Sequence, residues 1–157
     1  MGKVYLETSF VSYLVARRSR DLIVAARQQM SVDWWDNERQ KYELFGSEVV
    51  LEESRLGDPT EIAKRLQVLS DLSILTTTGV AGQLANELLV KGALPAKAAR
   101  DALHIAVATV HGMDFLLTWN CRHIANPHAR RMIDRIFQAA GYLPPVICTP
   151  QEFGGTS

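Results

Sequence analysis

Short apolar runs alternate along this chain with longer stretches in which apolar residues return at every third or fourth position. Val4-Tyr5-Leu6 is the first run. It stops at Glu7-Thr8-Ser9, and Phe10, Val11, Tyr13, Leu14 and Val15 then predict a short helix. The polar triplet therefore marks the carboxyl end of a first strand. Asp21 to Leu44 predicts a helix, with Leu22, Ile23, Ala26, Met30 and Trp34 on helical spacing and Ser31 as a point of interruption. Val49-Val50-Leu51 predicts a second buried strand, after which Glu52-Glu53 opens a short helix that stops at Gly57. Asp58 before Pro59 has the form of an N-cap with proline at the first helical position. A helix over Thr60 to Leu72 leads to a third strand, Ser73 to Thr77, and another helix runs from near Gly79 to Gly92. Pro95 starts a helix whose residues Ala98, Ala99, Ala102, Leu103, Ile105, Ala106 and Val110 make it apolar over most of its circumference. Phe115-Leu116-Leu117-Thr118 is a fourth strand, Arg130 to Ala140 an amphipathic helix, Val146-Ile147-Cys148 a fifth strand, and Gln151 to Ser157 a frayed tail.

Strands alternating with helices give an α/β chain built on a parallel sheet with helices on both faces, as right-handed crossovers require. With no internal repeat or composition break, residues 1–157 read as one domain. A hydrophobic content of 47% excludes a disordered or fibrous protein. Lys+Arg and Asp+Glu both number 17, so a nucleic-acid partner would be held by a local basic patch, not by net charge. No apolar stretch is long enough to cross a membrane, and the first residues lack the apolar core of a signal peptide. Cys121 and Cys148, without ligand-like spacing or a disulfide framework, fit a reducing, cytoplasmic setting.

Ligands of open parallel sheets sit beyond the carboxyl ends of the strands. Four places qualify there: Glu7 after strand one, Glu53 in the helix after strand two, Asp101 in the apolar helix, and Thr118-Trp119-Asn120 after strand four. A carboxylate in so apolar a helix needs a partner, because an isolated buried charge costs several kcal/mol. A divalent cation shared with Glu7 and Glu53 would supply one, and oxygen ligands favour Mg²⁺ or Mn²⁺ over zinc. Each carboxylate also has a structural alternative. Glu53 could serve a helix dipole, Asp101 could pair with Arg100 or Lys97, and Glu7 could cap the helix that follows it. Asp114 precedes strand four and belongs to a turn at the opposite edge, while His104, one turn after Asp101, reads as a histidine satisfied in the core or behind the metal ligands, not as a ligand itself.

The segments Tyr5-Leu-Glu-Thr-Ser9, Ser47-Glu-Val-Val-Leu-Glu-Glu53, Asp101-Ala-Leu-His-Ile-Ala-Val-Ala108 and Leu116-Leu-Thr-Trp-Asn120 stand in the order and spacing of PIN-domain ribonucleases. Across essentially the whole chain the sequence resembles the VapC-type toxins of bacterial toxin–antitoxin pairs. The resemblance implies a PIN-like three-layer α/β/α sandwich with strand order 3-2-1-4-5 and Mg²⁺- or Mn²⁺-dependent cleavage of RNA. It also implies a homodimer inhibited by a small antitoxin protein. Glu7 then stands where the family has its first Asp, Glu53 and Asp101 match two further acids, and Asn120 stands where a fourth acid or an Asn is found. Glu7 is about 1.5 Å longer than Asp, the length of one C–C bond, and Asn120 removes a formal charge. Three carboxylates suit one tightly bound ion better than two.

In this reading Glu7, Glu53 and Asp101 are metal ligands or accept the proton of an attacking water, and Asn120 and Ser9 orient water or metal by hydrogen bonds. Arg122, His123, His128, Arg130 and Arg131 follow Asn120 with no acid among them and form a basic rim that could hold RNA. Arg17, Arg18 and Arg20 form a second cluster, able to receive an acidic antitoxin segment. Of the adjacent Trp34 and Trp35, one is expected in the core and the other in a dimer or antitoxin interface. Two rivals stand beside the nuclease. One is a catalytically silent PIN domain that binds RNA or a protein without cutting. The other is a haloacid-dehalogenase-type phosphohydrolase, whose paired aspartates Glu7-Thr8-Ser9 does not supply.

Overall fold

A computed structural model describes residues 1–153. In chain order the elements are β1 (Gly2–Leu6), α1 (Thr8–Val15), α2 (Leu22–Glu38), β2 (Tyr42–Ser47), α3 (Glu48–Ser54), α4 (Pro59–Leu69), β3 (Ser73–Leu75), α5 (Gly79–Val90), α6 (Ala99–Val110), β4 (Phe115–Leu117), α7 (Pro127–Ala139), β5 (Val146–Cys148) and α8 (Pro150–Phe153). All strand pairings are parallel, and the order across the sheet is β3-β2-β1-β4-β5, as the resemblance implies. The chain winds one way from β1 through β2 to β3, then returns past β1 to β4 and β5. Right-handed crossovers consequently put α1 to α4 on one face and α5 to α7 on the other.

The central strand is the most protected. Val4, Tyr5 and Leu6 are fully buried because β1 is flanked by strands on both sides and covered on both faces. Opposite it, α6 buries Ala102, His104, Ile105, Ala106, Val107, Ala108 and Thr109. The helix that looks apolar in sequence is thus buried along most of its length.

Several sequence expectations are corrected. The second strand is Tyr42–Ser47, and Val49-Val50-Leu51 lies inside α3. Ser47 ends the strand and caps the helix, its hydroxyl accepting from the Val50 amide at 3.2 Å, so the apolar run that follows is wound rather than extended. Helix α2 stops at Glu38, and a single 3-10 turn over Arg39–Lys41 leads into β2. Gly46 in that strand lets its neighbours close in, since a Cβ there would lie 3.2 Å from Ile74 Cδ1 and 3.4 Å from Leu69 Cδ2.

Ser31 does not interrupt α2, because its hydroxyl is absorbed by the Arg27 carbonyl one turn back. Helix α7 starts earlier than its periodicity suggests, at Pro127, with the Asn126 side chain accepting from the His128 amide. The segment read as a frayed tail begins inside α8, and residues 154–157 lie outside the described residues.

Candidate active site

The parallel strands deliver their polar successors to one edge. Leu6 ends β1 and Glu7 follows, its amide still bonded to the Leu117 carbonyl of β4 at 3.0 Å. Thr118 follows β4 in the same way, its amide donating to the Cys148 carbonyl at 3.0 Å. Glu7 and Thr118 therefore face each other at the carboxyl ends of adjacent strands.

Glu7 is only 4% exposed, and its carboxylate is fixed by hydroxyls and an amide. Oε1 accepts from Ser9 Oγ and from Thr118 Oγ1, both at 2.5 Å, and Oε2 accepts from the Ser9 amide at 3.1 Å, capping α1. The extra methylene relative to Asp lets the side chain fold back onto its own helix start. Ser9 Oγ in turn accepts from the Trp119 amide at 2.8 Å, so Ser9 ties the loop after β4 to the Glu7 carboxylate.

Glu53 reaches the same edge from the last turn of α3, not from the opening of a helix as the sequence suggested. Its Oε1 accepts from Thr8 Oγ1 at 2.5 Å and is hydrogen-bonded to His104 Nε2 at 2.6 Å. His104 is fully buried; Nε2 also lies 3.9 Å from Glu7 Oε2, and Nδ1 is 2.6 Å from the Tyr5 hydroxyl. Tyr5 passes the chain on to Ser47 Oγ at 2.8 Å. A continuous buried line thus runs from the cap of α3 through Tyr5 and His104 to the two glutamates.

The electrostatics follow from this enclosure. Burial by itself would lower the affinity of His104 for its proton. The hydrogen bond to Glu53 and the charges of Glu7, Glu53 and Asp101 outweigh burial and raise its pKa above the ordinary histidine value. Burial would raise Glu53, yet the hydrogen bond and charge of His104, the Thr8 hydroxyl and Arg100 hold it below the ordinary carboxylate value. Burial pushes the Tyr5 hydroxyl well above its ordinary value, so it stays a neutral link. When protonated, His104 is an internal counter-ion for the two glutamates.

Asp101 projects from the first turn of α6 and is engaged on both oxygens. Oδ1 accepts from Asn120 Nδ2 at 3.0 Å, and Oδ2 is hydrogen-bonded to His123 Nδ1 at 2.8 Å. Asn120 Oδ1 accepts from the His123 amide at 3.0 Å, closing a triangle, and the Asn120 amide donates to Thr118 Oγ1 at 2.9 Å. Thr118 is thus the bridge between the Asp101 group and Glu7. Arg100 pairs with Glu52 and is not the partner of Asp101.

Glu7, Glu53 and His104 each offer one donor atom, and these atoms all lie within 4.8 Å of one another. Among the described residues this is the set that meets that criterion, and Asp101 is not part of it. Two carboxylates and an imidazole are a donor chemistry that a single divalent cation takes. Of the residues named for RNA, Arg122, His123 and His128 line one shallow recess beside Asp101. Arg131 is exposed, and Arg130 is turned away to Glu152 at 3.2 Å and to the Ala125 carbonyl at 2.9 Å. The sequence assigns no role to Thr8 or Tyr5, names Thr118 only within the turn that carries Asn120, and puts His104 in the core or behind the ligands. The usable signals were a tyrosine inside an otherwise apolar strand, whose hydroxyl must find a partner, and a histidine one turn from Asp101. Arg27 was also passed over; its guanidinium sits 5.3 Å from the ring of Trp119, which closes the site on the α2 side.

No family model matches the sequence, and no curated protein does. Solved structures do. The chain is similar to VapC20 of Mycobacterium tuberculosis, described as a sarcin–ricin loop cleaving toxin, with a TM-score of 0.60 and 19% identity over 79% of this chain and 95% of that one. It is also similar to VapBC2 from Rickettsia felis bound to a DNA fragment from their promoter, with a TM-score of 0.59 and 16% identity over 94% of this chain and 98% of that one. Together with the strand order, these likenesses settle the architecture: the chain has the PIN-like fold of VapC proteins.

Proposed function

We propose that the protein is a metal-dependent endoribonuclease that hydrolyses phosphodiester bonds of RNA and acts as the toxin of a bacterial toxin–antitoxin pair. The observation that carries this reading is the meeting of Glu7, Glu53 and the Asp101–Asn120 pair around the Thr118 turn, at the strand ends of a VapC-like fold. Mg²⁺ or Mn²⁺ is the proposed cofactor, and when bound it would acidify a water and offset charge on the phosphoryl group. Glu7, Glu53 and Asp101 hold the cation or take the water's proton. Ser9 and Asn120 keep carboxylates and loop in register through the bonds described above. Arg122, His123 and His128 offer the phosphate backbone a positive recess, Arg131 is exposed on the helix that follows, and Arg130 is committed to Glu152.

The partners proposed are RNA as substrate, a small antitoxin protein and a second copy of this chain, in the cytoplasm. An antitoxin is supported by the likeness to a VapBC complex, and the exposed Arg17, Arg18 and Arg20 suit an acidic segment of it. No helix among the described residues is long and apolar enough to cross a membrane.

A second reading, a silent domain that binds RNA or protein without cutting, is favoured by the degree to which Glu7 and Asp101 are already hydrogen-bonded. Incubating RNA with the purified protein in Mn²⁺ or in EDTA separates the two. The nuclease cuts with metal, stops with EDTA and is abolished by Asp101→Asn, whereas the silent domain binds RNA and leaves it whole in every case.

A further inference from the structure

Resting on that reading of the site, we propose that His104 is itself a metal ligand, its imidazole Nε2 joining Glu7 and Glu53 in holding the cation. The juxtaposition is specific. His104 Nε2 lies 2.6 Å from Glu53 Oε1 and 3.9 Å from Glu7 Oε2, and the three donor atoms fit within 4.8 Å. A cation taking the place of the proton between Nε2 and Glu53 Oε1 would part those two atoms and draw in Glu7 Oε2 as a third donor.

The other side of the ring is arranged as metal-binding histidines require. Such a histidine donates its second ring N–H to a fixed acceptor, which sets the tautomer and the ring plane. Here Nδ1 faces the Tyr5 hydroxyl at 2.6 Å, and that hydroxyl can donate onward to Ser47 Oγ at 2.8 Å, where α3 is capped. Coordination through Nε2 places the ring proton on Nδ1 and releases any second proton to solvent. Tyr5, Ser47 and His104 are all fully buried, so the ring cannot swing away. Asp101 lies outside the group of three donors and is bonded to Asn120 and His123.

The consequence is ion preference. Mg²⁺ takes oxygen ligands almost alone, whereas an imidazole suits Mn²⁺ and later first-row ions better. This chain should therefore bind Mn²⁺ more tightly than Mg²⁺.

Pulsed electron paramagnetic resonance of the full chain loaded with Mn²⁺ tests this directly, with protein carrying ¹⁵N-labelled histidine against unlabelled protein. The expected result is a nitrogen coupling to the ion that changes with the label, persists in Asp101→Asn and His123→Asn, and vanishes in His104→Gln. Titration calorimetry should show weaker Mn²⁺ binding in His104→Gln, by at least the roughly 10- to 100-fold that losing a residue behind a ligand costs. Because His104 is buried, that variant is first checked by circular dichroism; if it does not fold, the labelled wild type still decides. Bound Mn²⁺ without nitrogen coupling overturns the proposal, as does a coupling that disappears in His123→Asn. The nuclease reading fails separately: RNA left intact while the coupling is present removes the activity and keeps the ligand set.

Discussion

At the residue scale the Glu53–His104 pair imposes a pH window on stability. His104 has its pKa raised in the fold, so its contribution is complete below the ordinary histidine value of 6.5 and is lost as pH rises through the folded value. Glu53 is lowered, so its contribution is complete above the ordinary 4.5 and is lost as pH falls through the folded value. Metal-free protein should therefore melt highest between these two values and less stably on the alkaline side, and His104→Gln should flatten the alkaline fall. A scanning-calorimetry series in EDTA from about pH 4 to about pH 9 checks this; a wild-type melting temperature that holds constant above neutrality contradicts it. Thr118 offers a second residue-scale prediction. Its hydroxyl donates to Glu7 and accepts from the Asn120 amide, so Thr118→Val leaves two enclosed polar groups short of a partner. The expected loss is about 1–3 kcal/mol, read as a lower melting temperature by about 2–4 °C for each kcal/mol. Glu7 was legible in the sequence because a strand end in a parallel sheet is a known place to look, whereas Glu53 and Asp101 reach the same edge from helices. The role of His104 was not legible, since a histidine on an apolar helix face shows neither its depth nor which strand it meets.

At the element scale, α3 shows where reading by pattern runs out. Val49 and Val50 are buried at 2% and 0% exposure, as a core strand would be, yet they lie in a seven-residue helix. Burial looks the same from either structure in so short a run. What decided it was Ser47, whose hydroxyl starts the helix, and β2 just before it, whose half-buried Tyr42, Leu44 and Phe45 show no continuous apolar run. Strands β1, β4 and β5 were legible because each is a compact apolar run that ends in polar residues or proline. Helix α3 matters to function because its last turn carries Glu53. Ser47→Ala removes both the cap and the partner of Tyr5, and should cost about 0.5–2 kcal/mol from the cap alone. Chemical denaturation measures that cost, and Mn²⁺ affinity should fall with it because Glu53 loses its anchor. Unchanged stability would mean that α3 is held by packing alone.

At the scale of the whole molecule, the sheet separates structural acids from those of the site. Asp114 Oδ2 accepts from the Lys3 amide at 2.8 Å at the amino ends of β1 and β4, so Asp114→Asn should leave RNA cleavage unchanged. The aromatic residues divide in the same way. Trp34 is 3% exposed and packs on Phe10, Tyr42 and Phe153. Trp35 is half-buried, with the Arg39 guanidinium 5.0 Å from its ring. This leaves Trp35 as the indole available to a second copy, and light scattering should return twice the 17.5 kDa of one chain. The most direct test of the central claim is cleavage of RNA in Mn²⁺ by wild type and by folded Glu53→Gln, each repeated in EDTA. Wild type should cut only with metal, and Glu53→Gln should be silent at metal concentrations that saturate wild type. Cleavage that survives EDTA, or that Glu53→Gln performs equally well, would contradict hydrolysis at this site.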